Sequence, residues 1–99
     1  MSRFTVQLTR AASKDLDLLP ASHREQITEA LLTLQQEPIG PPPRIRRLRG
    51  FPFALYRLRS GDYRVLYRID EAVVTVMRVI NRRELERALR QLGFKRPEV

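Results

Sequence analysis

Apolar positions along the chain follow two periods, and their changes mark out the elements. FTVQLT, residues 4–9, alternates, which predicts a strand with Phe4, Val6 and Leu8 on one face. The spacing then widens: Ala12, Leu16 and Leu19 form a helical stripe, and Pro20 ends it by removing a donor and crowding the previous turn. Ser22 with Glu25 three positions on predicts a capping box, and Ile27, Ala30, Leu31 and Leu34 carry a second helix to about Gln36. EPIGPPPR, residues 37–44, fits neither period and reads as a loop. Alternation returns in RIRRLRG, FALYRLR, DYRVLYRI and AVVTVMRVI, with Ser60-Gly61-Asp62 and Asp70-Glu71 as the turns between the last three. Asn81 then caps a final helix, RRELERALRQLG, with Leu85, Ala88, Leu89 and Leu92 inward and Gly93 as its stop. The predicted fold is α+β, one domain over residues 1–99, ordered β-α-α-β-β-β(-β)-α, with an antiparallel sheet packed on a helical hairpin.

Strand parity sorts the faces of that sheet. Tyr63, Val65, Tyr67 and Ile69 share one side of the central strand, and Arg64, Leu66 and Arg68 share the other. In the last strand, parity groups Val73, Thr75, Met77 and Val79 against Val74, Val76 and Arg78. Arg57 and Arg59 lie opposite Tyr56 and Leu58. One face is then apolar and packs on the helices, and the other collects Arg57, Arg59, Arg64, Arg68 and Arg78 around a few aliphatics. Like charges side by side on a strand destabilise it, so such a cluster predicts an anionic partner.

Composition sharpens this picture. Lys and Arg number 19 against 11 acids, a net +8. The charge is lopsided: residues 1–42 sum to −1 (four basic, five acidic), and residues 43–99 to +9 (fifteen basic, six acidic). A directional basic surface built from arginine, whose planar fork matches phosphate, predicts nucleic acid, an acidic protein, or both as partners. No apolar run approaches the roughly 18 residues of a membrane span, and the N-terminus lacks a secretory apolar segment, so a cytoplasmic protein is expected. With no cysteine, one histidine and no clustered carboxylates, neither a metal site nor another cofactor is expected. His23 reads as a surface residue remote from the arginines, and Gly50, Gly61 and Gly93 as turn and cap glycines.

The element order, together with LRG at 48–50, YRLR at 56–59, GDYRVLY at 61–67 and VINRRE at 79–84, resembles the RelE/ParE superfamily of bacterial type II toxins over essentially the whole chain. RelE-like members are ribosome-dependent endoribonucleases that cut messenger RNA by attack of a ribose 2′-hydroxyl on the adjacent phosphate. That reaction needs the 2′-oxygen deprotonated, the phosphorane charge stabilised and the leaving 5′-oxygen protonated. The resemblance implies that Arg64 stabilises the phosphate and that Arg82 or Arg83 is the second catalytic arginine. It implies further that Arg57, Arg59, Arg68 and Arg78 bind the message, while Arg44, Arg46, Arg47 and Arg49 contact ribosomal RNA. Glu86 stands where the family often has a tyrosine, and Leu55 and Arg57 stand where it has lysines. Glu86 is then either a base with a shifted pKa or an exposed helical glutamate paired with Arg82, Arg83 or Arg90.

Two other functions share these residues: a ParE-type toxin that poisons DNA gyrase without nuclease activity, and an inactive remnant that binds RNA or antitoxin. Every version implies a cognate antitoxin, an acidic or amphipathic chain that wraps the toxin and covers the arginine face in a hetero-oligomer. The RelE version adds the ribosome and mRNA as partners.

Overall fold

The two helices after the first strand must bury an apolar stripe, and they carry the chain from one edge of the sheet to the other. The computed structural model, which describes residues 3–93, has β1 at Thr5–Leu8, α1 at Arg10–Asp17 and α2 at Ala21–Leu34. β2 (Ile45–Leu48), β3 (Leu55–Ser60), β4 (Tyr63–Asp70) and β5 (Val73–Asn81) follow. A short 3₁₀ turn, Arg82–Glu84, leads into α3 at Leu85–Gln91. The sheet order is β1-β5-β4-β3-β2. β2 to β5 form the expected antiparallel meander, whereas β1 pairs parallel with β5, so the sheet is mixed. The physical reason is the crossover: α1 and α2 lie between β1 at one edge and β2 at the other. No helix among the described residues is long and apolar enough to cross a membrane.

Ala12, Ile27, Ala30, Leu31 and Leu34 of the helices pack on Tyr56, Leu58, Val65 and Tyr67, with Leu16 and Leu19 at the margin. From β5 the core takes Val74, Val76 and Val79, not the Val73, Thr75, Met77 and Val79 set that strict alternation predicts. A β-bulge is the cause: Leu66 faces Arg78 and Tyr67 faces Val76, which leaves Met77 as the extra residue. One inserted residue shifts parity, so residues on either side of it can both face inward. Tyr67, fully buried, stacks on Tyr56 at 5.7 Å, and its hydroxyl donates to the Pro38 carbonyl at 2.7 Å. That bond ties the proline loop to the middle of the sheet.

Beyond Leu8, α1 takes over the outer edge of β5. The Thr9 amide donates to Val76 O at 3.0 Å, its hydroxyl donates to Met77 O at 2.9 Å, and Asp15 accepts from the Val79 amide at 2.9 Å. Asp15 also holds Arg78 in a two-point pair at 2.8 and 3.1 Å. Thr9 caps α1 as well, accepting from the Ala12 amide at 3.1 Å. The capping box at Ser22 and Glu25 does not form: Pro20 occupies the N-cap position of α2 without a side-chain cap, and both residues fall inside the first turns. The preset backbone of proline starts the helix early. Asn81 does cap, through Oδ1 and the Arg83 amide at 3.1 Å, but it caps the 3₁₀ turn. α3 then lays Ala88, Leu85, Leu89 and Leu92 over Leu66 and Ile80, so it covers part of the face that parity assigned to arginine.

Two consequences can be measured. Tyr67→Phe leaves the Pro38 carbonyl without its donor and costs about 1–2 kcal/mol in denaturant unfolding near neutral pH. Burial, helped by Tyr56, pushes the Tyr67 hydroxyl well above its ordinary value. A raised folded-state pKa is stabilising below the unfolded value of about 10 and is lost as pH climbs past it, so the gap between wild type and Tyr67→Phe narrows in that range. A gap independent of pH would contradict the assignment. Asp15→Ala strands both the Val79 amide and the Arg78 guanidinium and lowers stability by about 2–4 kcal/mol, while Asp15→Asn recovers part of the loss. An unchanged denaturation midpoint for Asp15→Ala would remove Asp15 from the edge of β5.

Candidate nucleic-acid interface

Strand register sets the arginines in rows on the face away from the helical hairpin. One row runs Arg46, Arg57, Leu66, Arg78, and the next runs Arg59, Arg64, Ile80. A third runs Leu48, Leu55, Arg68, Thr75. Partners then divide the five arginines that parity grouped. Arg68 pairs with Asp70 at 2.7 and 3.1 Å and lies 4.5 Å over the Phe53 ring. The Asp70 bond raises the Arg68 pKa, and Arg68 in turn lowers that of Asp70. Arg78 is held by Asp15, whose bond raises its pKa. These two guanidinium groups are neutralised within the protein.

The others are not. Among the described residues, neither Arg46, Arg57, Arg59 nor Arg64 has a carboxylate ion-pair partner. The Arg57 Nη2 donates to the Pro43 carbonyl at 2.7 Å, and its Nε is buried with no acceptor among the described residues. Burial lowers its pKa, and Arg64, Arg46 and Arg59 lower it further. The Arg64 Nη1 donates to both Gly61 O and Tyr63 O at 2.9 Å. Its pKa is lowered by burial and then by Arg59 and Arg82, against an opposing pull from Asp62. Arg82 is therefore the member of the Arg82–Arg83 pair whose field reaches Arg64. It sits 3.8 Å from Asp62, with both side chains exposed. The Arg83 side chain is exposed, and its amide bonds Asn81.

Glu86 is 80% exposed and 3.4 Å from Arg90, one turn on, which is the paired surface geometry and not a buried base. The four arginines around β2 separate because neighbours on a strand face opposite ways. Arg46 joins Arg57, while Arg47 shares the side of Ile45 and Tyr56. Arg44 reaches Thr33 on α2 at 3.3 Å, and Arg49 lines an open cleft of about 350 Å³ with Leu48, Phe51 and Phe53. His23 is exposed as expected but not remote: its Nδ1 lies 2.9 Å from the Tyr63 hydroxyl, one residue from Arg64. No sequence pattern links residues 40 apart in this way.

Chemically, the cluster is a set of cationic donors, two of them, Arg57 and Arg64, held by carbonyls, with one buried N–H that has no acceptor among the described residues, an arrangement suited to a phosphate. It can also stabilise added negative charge on a phosphorane. Among the described residues, no group of three or more His, Cys, Asp or Glu could hold a metal ion.

Known proteins share this architecture. Toxin RelG of Mycobacterium tuberculosis is 37% identical over 89 residues, spanning 85% of this chain and 97% of RelG. The archaeal RelE–RelB complex from Pyrococcus horikoshii superposes with a TM-score of 0.68 at 30% identity, over 81% of this chain and 96% of that one. The toxin–antitoxin complex RelBE2 of Mycobacterium tuberculosis gives 0.67 at 32%, over 80% and 98%. The family described as ParE toxin of the type II toxin–antitoxin system parDE matches residues 6–86. This chain belongs to that family of type II toxins, and within it stands close to the RelE toxins.

Proposed function

We propose that this toxin is an mRNA endoribonuclease of the RelE kind, acting on the ribosome, and that its cognate antitoxin silences it by covering the arginine face. The observation that carries the reading is the cluster of Arg46, Arg57, Arg59 and Arg64, none of them ion-paired among the described residues, with the Arg57 Nε buried and without an acceptor among them. An RNA phosphate supplies the missing acceptor. Arg57 and Arg64 hold it, and Arg82 adds positive charge from the end of β5. Although their pKa values are lowered, arginines remain charged at neutral pH, so their work is binding and charge stabilisation. Acceleration then comes mainly from holding the 2′-hydroxyl in line with a phosphate whose growing charge is already met. Arg44, Arg47 and Arg49, spread around the β2 edge, suit phosphates of ribosomal RNA, a positioning role without sequence preference. Arg68 and Arg78 keep their protein carboxylates, and Glu86 and Arg83 stay at the rim.

The second reading, a gyrase poison, draws on the ParE description of the matching family and on Leu55 and Arg57 standing in for lysines. One experiment separates the two. In a cell-free translation reaction, reverse transcription of the message shows new 5′ ends with wild-type toxin. Arg64→Ala reduces their rate of appearance by about 100-fold or more, and DNA supercoiling by gyrase is unaffected. Intact message together with blocked supercoiling overturns the nuclease reading in favour of the ParE one. Binding of the antitoxin, being electrostatic, weakens steeply with added salt, and Arg57→Ala flattens that dependence. Affinities insensitive to salt would place the antitoxin elsewhere.

A further inference from the structure

We infer that His23 and Tyr63 are positioning residues for Arg64, acting through the turn that joins β3 to β4; the inference rests on Arg64 being a phosphate-binding arginine. The guanidinium of Arg64 is held by two carbonyls of that turn, Gly61 O and Tyr63 O, each at 2.9 Å. Where those carbonyls sit therefore decides where the fork points. Gly61 and Asp62 are exposed, and Gly61 adopts φ +57°, a conformation glycine reaches freely. A turn of this kind is free to move unless something grips it.

α2 grips it from one side. The Tyr63 hydroxyl meets His23 Nδ1 at 2.9 Å, with the rings edge to face at 5.2 Å. Gln26 Nε2 donates to the Ser60 hydroxyl at 3.0 Å, and the approach is so close that a Cβ on Gly61 would lie 2.9 Å from that nitrogen. From the other side, the Arg82 amide donates to Asp62 O at 2.8 Å. The four residues Ser60 to Tyr63 are thus clamped between α2 and the end of β5, and both Arg64 and Arg82 take their bearings from them. Tyr63 is the link: its side chain meets His23 while its own carbonyl holds Arg64. A tyrosine hydroxyl can donate to an imidazole nitrogen or accept from one, so the contact suits either tautomer of His23. Its effect is on orientation, and a phosphate-binding fork displaced by a fraction of an ångström loses transition-state contacts before ground-state ones.

The test uses Tyr63→Phe, which keeps the ring, His23→Ala, and His23→Asn, whose amide can occupy the place of Nδ1. Three quantities are read: kcat and KM for message cleavage on programmed ribosomes, ¹⁵N relaxation of the Arg64 Nε–H, and the melting temperature. Tyr63→Phe and His23→Ala lower kcat about three- to tenfold with KM unchanged, and the Arg64 Nε–H becomes more mobile. His23→Asn restores both, and neither loss adds to that of Arg64→Lys. A lower melting temperature with kcat and Arg64 mobility unchanged overturns the positioning role. If wild type leaves the message intact while the two variants still loosen Arg64, the positioning role stands and the nuclease reading falls.

Discussion

The packing of Val65 and Tyr67 against Ile27, Leu31 and Leu34 is the contact on which the rest of the molecule depends. β4 lies between β3 and β5, paired on both sides, so whatever fixes its inner face fixes its outer face too. Once Val65 and Tyr67 turn toward α2, alternation leaves Arg64, Leu66 and Arg68 no other direction. The same step carries Arg57 and Arg59 across from β3, because their register partners are Leu66 and Arg64. A core formed from ordinary aliphatic and tyrosine side chains thereby places a set of like charges side by side, which no strand would adopt for its own stability.

The molecule reduces this conflict selectively. Asp15 and Asp70 neutralise Arg78 and Arg68 at the margins of the face, and α3 covers the aliphatic ground around Leu66 and Ile80. The arginines between these devices keep their repulsion. Arg57 and Arg64 are held by carbonyl oxygens, which orient a guanidinium without cancelling its charge. Held cations without counter-charges are costly in the free protein and favourable once an anion arrives, as a phosphate-binding site and an antitoxin-covered surface both require.

Much of this was legible in the residues. Helical stripes at Ala12–Leu16–Leu19 and Ile27–Ala30–Leu31–Leu34 are the faces that pack on the sheet, the first with Leu16 and Leu19 at the core's margin, and the GDYRVLY hairpin forms with the expected turn. The β5 faces were not legible, because a bulge leaves no mark in composition: Met77 is as apolar as Val76 and Val79. Likewise the box at Ser22 and Glu25 satisfies a local rule that Pro20, two residues earlier, pre-empts.

The sequence by itself determined the order of elements, the two-faced strands and the excess of arginine on one face, because these follow from periods of two and 3.6 and from charge. Only the tertiary structure decided which arginines lack a carboxylate partner among the described residues. Asp15 lies 63 residues before Arg78, and His23 lies 40 before Tyr63. Such pairings depend on how α1 and α2 cross the sheet, and no local pattern encodes that crossing. The charge of Arg82, together with burial and Arg59, lowers the Arg64 pKa, an effect that depends on the end of β5 lying beside the β3–β4 turn, where the Arg82 amide donates to Asp62 O.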